Sequence, residues 1–343
     1  VDALARLLAG SDFLGRILAA SPELLDSLLD PRELLEEKNA GDFSVLIRES
    51  IRRTGKIGEV VLEQTLRIGM RRILNQATPK QTMQEGSDLA TQAIEVLAEG
   101  SDLTIYAMGA LAGREMVFTS DLDLVFAVSS RDPMALYDGS KAANKLLTAL
   151  AEKAPIGPGY ALDLRLRPYG NQGALVASGE GLLEYLSQKA APWERAAYLR
   201  AVRIRGDGPN EDRIREAVLS QAFTDETAAD LARTRSRGVS ERGNPQDLKW
   251  GEGALADIEW LLAYYGLKHA GQRPEILRPN TAQALLALSS AGLIPQEMGQ
   301  QLSEAFYFLK DLEHVLRTLF ERPVTALPED RESLEELAGG MSF

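Results

Sequence analysis

Two aspartates separated by a single residue carry the clearest chemical signal in this chain. Residues 121–128 read Asp-Leu-Asp-Leu-Val-Phe-Ala-Val, a run that is typical of a β-strand. Because side chains alternate across a strand, Asp121 and Asp123 are expected on one face, roughly 7 Å apart along the chain. Two carboxylates held side by side repel each other unless a cation lies between them. The pair therefore predicts a divalent metal bound to phosphate, and nucleotide chemistry is the leading hypothesis.

A third carboxylate lies in another apolar run, where Asp163 alternates with leucines and shares a face with Arg165 and Arg167. Three carboxylates could hold two cations about 3.5–4 Å apart and so stabilise the attacking and leaving oxygens of a phosphoryl transfer. The alternative is structural, since Asp163 could instead pair with either arginine at the surface, an interaction of little energetic value. The arginines could likewise meet phosphates or pair with acids, and the residues alone leave both open.

A glycine precedes the aspartate pair at the end of a predicted strand. Gly109 follows the apolar run 103–108, and its missing Cβ lets the backbone come close to a ligand. Backbone N–H groups released at such a turn can hold phosphate oxygens. Together with the two carboxylates on the next strand, this turn predicts a site for a metal-bound nucleoside triphosphate.

A small sheet is needed to position these residues. Strands are predicted at 103–108, 121–128 and 160–166, with a helix over 135–153 between the second and the third. Strands mixed with helices in this proportion indicate an α+β fold, a small mixed sheet flanked by helical regions.

The flanking regions have apolar residues at helical spacing, which divides the chain into three predicted domains. These are a helical domain over 1–97, a mixed-sheet domain over 98–207 and a C-terminal helical bundle over 208–343. Polar residues 233–247, which include two glycines and a proline, predict an exposed loop. Helical stretches are expected around 14–29, 43–75, 82–99, 254–268, 281–291 and 295–320.

The overall composition excludes several classes of function. The net charge of −12 over 343 residues argues against a nucleic acid as the main partner, because backbone binding needs clustered Lys and Arg. No apolar run reaches the ~18 residues needed to cross a bilayer, so no membrane partner is expected. The absence of cysteine fits a cytoplasmic location. The two histidines, His269 and His314, are far apart on predicted helices and do not suggest a metal site.

The segments around the aspartates resemble those of a known family. Residues 109–115 read Gly-Ala-Leu-Ala-Gly-Arg-Glu and residues 120–124 read Ser-Asp-Leu-Asp-Leu. This pattern is similar to the signature of the glutamine synthetase adenylyltransferases, a family of the DNA polymerase β-like nucleotidyltransferase superfamily. Further blocks of the family are matched in the same order at residues 162–170, 193–195, 247–249 and 257–260.

The resemblance implies that 98–207 is a nucleotidyltransferase domain that uses Mg²⁺ and ATP. Asp121, Asp123 and Asp163 would be the catalytic residues and metal ligands. Asp163 would hold a second metal or help to deprotonate an incoming tyrosine hydroxyl. The residues implied in nucleotide binding are Gly109, Gly113, Ser120, Arg165 and Arg167.

The resemblance also implies partners. Full-length members of the family carry two catalytic units, one that attaches AMP to a tyrosine of glutamine synthetase and one that removes it by phosphorolysis. One such unit is found in this sequence, and its Gly-Arg-Glu segment and preceding helical block favour the adenylylating half. Glutamine synthetase is therefore expected as the protein substrate, with a PII-type signalling protein as a further partner.

Several positions depart from the family pattern. Ala110 stands where the family usually has lysine, Ala112 replaces a glycine, and Val202 replaces an arginine. Loss of a phosphate-facing lysine could remove a charge that stabilises the transition state. A non-catalytic relative that binds nucleotide or a regulator as a scaffold is therefore the alternative function. Asp257 and Glu259 could contact the site across domains or could serve a helix start, and both interpretations stay open.

Overall fold

The computed structural model describes residues 35–152, 159–242, 244–320 and 324–341, together with the isolated positions 15 and 19. Within these residues the protein is a small five-stranded sheet among helices, which confirms the predicted α+β class. The helices expected around 14–29 lie outside the described residues except at Gly15 and Ala19, which are helical. The division at residues 97 and 207 stays a prediction.

The sheet is built around one central strand. In chain order its strands are β1 Thr104–Ala107, β2 Leu122–Val128, β3 Leu162–Asp163, β4 Val176–Ser178 and β5 Val202–Arg205. Strand β2 runs antiparallel to β1 and parallel to β3 and β4; β3 pairs with its first two residues and β4 with its last three. Strand β5 pairs with the other edge of β1 in antiparallel orientation.

Helices precede, interrupt and follow this sheet. Those before and within the sheet region are α1 Ala40–Thr54, α2 Gly58–Ile73, α3 Pro79–Leu97, α4 Gly109–Gly113, α5 Pro133–Leu150, α6 Gly179–Gln188 and α7 Pro192–Tyr198. Those that follow are α8 Glu211–Leu219, α9 Asp225–Arg242, α10 Leu255–His269, α11 Thr281–Ser290, α12 Gln296–Phe320 and α13 Arg331–Gly340. No helix within the described ranges combines the length and apolarity of a bilayer-crossing segment.

The sheet separates two hydrophobic cores because β2 is apolar on both faces. Leu122, Leu124, Phe126 and Val128 face a core that contains residues of α1, α3 and α5. The intervening residues of β2 after Asp123 face a second core, to which the helices after the sheet contribute. Asp123 therefore lies on the side of the sheet that is covered by the C-terminal helices.

Two predicted elements are shorter or divided in the structure. The amphipathic stretch 43–75 is two helices, because Gly55 adopts a left-handed conformation with φ +76° and ends α1. The third strand spans Leu162–Asp163 instead of 160–166. It ends where the Asp163 carboxylate accepts a hydrogen bond from the backbone N–H of Arg165 at 2.9 Å, which turns the chain away from the sheet.

The prediction of an exposed loop over 233–247 is wrong for its first part. Helix α9 continues to Arg242, and Gly238 lies within it. A Cβ at Gly238 would overlap the indole ring of Trp250, so the glycine allows the tryptophan to pack against the helix. This glycine therefore marks a close contact between two segments and not a break in the helix.

Candidate active site

The three aspartates predicted as a site converge at one end of β2. Asp123 and Asp163 are direct register partners on the parallel strands β2 and β3, which places their backbones one strand spacing apart. Asp121 immediately precedes β2. The structure thus places the backbones of the three aspartates at the same end of these strands, although Asp163 follows Asp123 by 40 positions in the chain.

The side chain of Asp123 has several acidic side chains near it. Burial is the largest cause that raises the pKa of its carboxyl to about 7, followed by the neighbouring charge of Asp163 and, to a smaller extent, those of Asp121 and Glu259. Lys249 opposes this shift. A carboxylate in such surroundings is stabilised by a bound cation, so the environment of Asp123 fits a metal ligand.

Asp163 is engaged by a neighbouring arginine. Arg165 donates its Nε–H to Oδ2 of Asp163 at 2.8 Å and also pairs through Nη2, while most of its own side chain is exposed. Burial alone would raise the pKa of Asp163, but the hydrogen bonds from Arg165 hold it below its ordinary value. Arg165 thus pairs with an acid in the structure, and its role in binding phosphate stays a prediction.

The donor set favours a cation held by two carboxylates. Among the described residues, no group of three or more His, Cys, Asp or Glu side chains is arranged to hold a metal ion. Asp121 and Asp123 offer the carboxylate oxygens that Mg²⁺ prefers. The residues present therefore fit a cation bound by this pair, and a three-carboxylate cluster stays a prediction.

Gly109 lies against the Asp123 carboxylate. It begins α4 with a left-handed φ of +52°, and a Cβ at this position would come within 2.5 Å of Oδ2 of Asp123. The backbone N–H of Met108 donates to the carbonyl oxygen of Asp123 at 2.9 Å. The close approach that the structure shows is therefore to the Asp123 carboxylate, and contact of Gly109 with a nucleotide stays a prediction.

The other predicted nucleotide-binding residues have local contacts. Ser120 accepts a hydrogen bond from the backbone N–H of Val117 at 2.9 Å. Arg167 donates to the carbonyl oxygens of Leu164 at 3.0 Å and Gly173 at 3.3 Å. Their roles in nucleotide binding stay predictions.

Gly113 contacts the Glu115 side chain and not Asp123. A Cβ at Gly113 would lie 2.7 Å from Cδ of Glu115. The Glu115 carboxylate accepts hydrogen bonds from the backbone N–H of Thr281 and from its hydroxyl, the latter at 3.0 Å. The Gly-Arg-Glu segment therefore joins the sheet to the N-terminus of α11.

Comparison with known proteins assigns this region to a family. Residues 70–217, which contain all three aspartates, match the family model described as glutamate-ammonia ligase adenylyltransferase. Over these residues the chain belongs to that family. Residues 221–343 match a second model, described as GlnD PII-uridylyltransferase.

Curated relatives of this adenylyltransferase family are longer than the chain. A protein of Hahella chejuensis is 26% identical over 383 residues, which covers 98% of this chain and 39% of the relative. One from Xanthomonas axonopodis pv. citri is 32% identical over 72% of this chain and 28% of its own length. Both are named bifunctional glutamine synthetase adenylyltransferase/adenylyl-removing enzyme. The chain thus spans well under half the length of these relatives.

Two residues outside the adenylyltransferase match, Glu259 and Lys249, act electrostatically on the site. Glu259 on α10 contributes to the raised pKa of Asp123, and this favours the interpretation that it faces the site. Asp257 has a structural role, because it pairs with Arg235 at 2.6 Å and accepts a hydrogen bond from the backbone N–H of Gly253 at 2.8 Å. Lys249 was not assigned a role from the sequence. The only signal for it was its place in the Asp-x-Lys block at 247–249.

Proposed function

We propose that the chain is a magnesium-dependent nucleotidyltransferase that transfers AMP from ATP to a tyrosine of glutamine synthetase. The observation that carries this proposal is the register pairing of Asp123 with Asp163, beside Asp121, inside the segment that matches the adenylyltransferase family. The names of the relatives agree with this chemistry. Since the chain spans 39% of the length of the Hahella protein, the activity and the substrate are proposed for this chain and not transferred from the whole relative.

In this mechanism Asp121 and Asp123 would hold Mg²⁺, whose charge offsets that of the triphosphate. The tyrosine hydroxyl loses its proton to solvent, and its oxygen attacks the α-phosphorus in line, forming a phosphodiester as the bond to the leaving pyrophosphate breaks. Arg165 keeps the pKa of Asp163 low, so Asp163 remains ionised and is a poor proton acceptor. Its charge suits it better to binding a cation than to deprotonating the tyrosine.

The proposed direction is adenylylation. In the reverse activity, phosphate would attack the same phosphodiester and ADP would leave, and the same carboxylates would serve either reaction. The Gly-Arg-Glu segment at residues 113–115 supports the adenylylating direction. The match of residues 221–343 to a PII-uridylyltransferase model supports a PII-type signalling protein as a further partner.

The test is an incubation of the chain with glutamine synthetase, Mg²⁺ and ATP labelled at the α-phosphate. Transfer of label to glutamine synthetase is expected, and the double variant Asp121→Asn/Asp123→Asn should transfer at least roughly 100-fold more slowly. Asp138→Asn, an exposed change on α5, is the matched control and should behave like the wild type. Equal labelling by the wild type and the double variant would refute the assigned roles. A parallel reaction with adenylylated glutamine synthetase and phosphate, read as release of ADP, decides the direction.

A second candidate is a non-catalytic relative that binds nucleotide or a regulator as a scaffold. It is favoured by Ala110 in place of the family lysine and by the engagement of Asp163 with Arg165. Calorimetric titration with Mg²⁺ and ATP separates the candidates. Binding of ATP without any product over a long incubation would support the scaffold and exclude the transferase.

A further inference from the structure

Lys249 is held rigidly at the start of the C-terminal helical region. The Asp247 carboxylate accepts hydrogen bonds from the backbone N–H groups of Lys249 at 2.8 Å and Trp250 at 2.7 Å. Its other oxygen accepts from the Thr325 hydroxyl at 2.8 Å. The carbonyl oxygen of Lys249 accepts from the N–H of Ala256 in the first turn of α10 at 2.9 Å. The backbone of Lys249 is therefore fixed on both sides.

This segment lies on the face of the sheet that carries Asp123. Leu255 and Ile258, in the first turn of α10, belong to the same hydrophobic core as Val125 and Ala127 of β2. Val125 shares its side of the strand with Asp123. The charge of Lys249 lowers the pKa of Asp123 and contributes to the lowered pKa of Asp163, so the ammonium group lies within electrostatic reach of both.

Two of the acids near Lys249 pair with other cations. Asp163 pairs with Arg165, and Glu313 on α12 pairs with Lys310 at 2.7 Å and with Arg317 at 2.5 Å. Within the described parts of the chain, the ammonium group of Lys249 has no hydrogen bond or ion pair. A half-buried cation that is fixed beside an anionic site and has no direct partner is available to a ligand anion.

We propose that Lys249 binds the phosphates of the nucleotide and neutralises part of their charge. This inference rests on the proposed function, since it places Lys249 on the same nucleotide as Asp121 and Asp123. A lysine carries three N–H donors on a flexible stem and can reach phosphate oxygens from an element outside the sheet. The C-terminal helical region, which packs against the sheet, would thus complete the nucleotide site.

The test measures nucleotide binding directly, by calorimetry with Mg²⁺ and an ATP analogue that carries a methylene bridge between its α and β phosphorus atoms. Lys249→Met should weaken binding of the analogue by about 10-fold or more, the effect of one charge-assisted hydrogen bond. Lys249→Arg should restore most of the affinity. Adenosine, which has no phosphate, should bind the wild type and Lys249→Met within about 2-fold of each other, because the variant keeps the rest of the site.

Lys145→Met is the matched control, since Lys145 is exposed on α5, which packs on the other face of the sheet. If the wild type binds the analogue and Lys249→Met binds it equally well, the inference is wrong while the proposed function stands. If the wild type itself does not bind the analogue, the proposed function fails. Equal weakening of adenosine and analogue would show that Lys249 is structural, and this also overturns the inference.

Discussion

The chemistry of this site depends on the surroundings of Asp123. Its side chain is partly buried, and it is flanked by Asp121 and by its register partner Asp163. Gly109 packs against it from α4, and the charge of Lys249, from the C-terminal region, lowers its pKa. Each neighbour changes either the space around this one side chain or its charge, and each can be altered separately.

Gly109→Ala should reduce activity by much more than its small effect on stability can explain. The left-handed φ of +52° disfavours alanine by roughly 1 kcal/mol, and the new Cβ would also displace the Asp123 carboxylate. We expect a loss of at least about 100-fold in label transfer to glutamine synthetase, alongside the small loss in urea unfolding. Gly55→Ala is the control, because Gly55 has φ +76° with nothing within 4 Å of its Cβ position. It should show a similar loss of stability with full activity, and equal losses of activity in both variants would contradict the prediction.

Binding of Mg²⁺ should depend on pH with a midpoint set by Asp123. The pKa of this carboxyl is about 7, so protonation as the pH falls through 7 removes the ionised ligand and weakens metal binding. Below the midpoint, the apparent affinity should fall about 10-fold per pH unit. Calorimetric titration of Mg²⁺ between pH 5.5 and 8.5 measures this. Asp163→Asn should move the midpoint to lower pH, and a flat wild-type profile would disprove the assignment.

At the scale of elements, the segment between α4 and β2 connects the site to the helices. Within residues 114–121, Arg114 and Thr119 adopt left-handed conformations, with φ +55° and +57°. Glu115 is buried and bonded to Thr281 at the start of α11, while the N–H of Phe118 donates to Nδ1 of His314 on α12 at 3.2 Å. The position of Asp121 is therefore determined by contacts of the preceding residues with α11 and α12.

Glu115→Ala should destabilise the protein by roughly 3 kcal/mol, because it leaves the buried Thr281 N–H without its acceptor and removes the carboxylate that forms an ion pair with Arg200 at 3.6 Å. Urea unfolding measures the change. The control Glu216→Ala, at an exposed position on α8, should stay within about 0.5 kcal/mol of the wild type. A loss at Glu115 no larger than this would show that the link to α11 contributes little.

The same elements show how far the sequence could predict the structure. Alternation in residues 121–128 predicted β2 and the common face of its aspartates, because strand periodicity is local. Strands β4 and β5 were not predicted, since three or four residues carry too little pattern. Gly238 led to the prediction of a loop, because the residue that explains a glycine at this position, Trp250, lies outside the helix that contains Gly238. Lys249 could not be assigned to the site for a similar reason. Its position near Asp123 depends on the tertiary fold and not on the residues next to it in the sequence.

At the scale of the whole molecule, helix α12 joins the N-terminal helices to the site. Arg72 on α2 forms a buried bidentate pair with Asp311, at 2.9 and 2.6 Å. One turn further along α12, His314 holds the segment that leads to Asp121. The C-terminal helices therefore contact the N-terminal helices, the sheet and the loop before the aspartates, which makes His314 a sensitive point for the stability of the assembled fold.

His314 should make the protein sensitive to mild acid. Burial lowers its pKa to about 4, from 6.5 when unfolded, so between these values the unfolded chain binds a proton that the native protein excludes. The stabilisation is complete above pH 6.5 and is lost as the pH falls toward 4, by on the order of 3 kcal/mol. His314→Asn offers an amide oxygen to the N–H of Phe118 but does not titrate. Urea unfolding at several pH values should therefore show a fall in stability for the wild type that is smaller in the variant by about this amount, whereas parallel curves would exclude His314 as the cause.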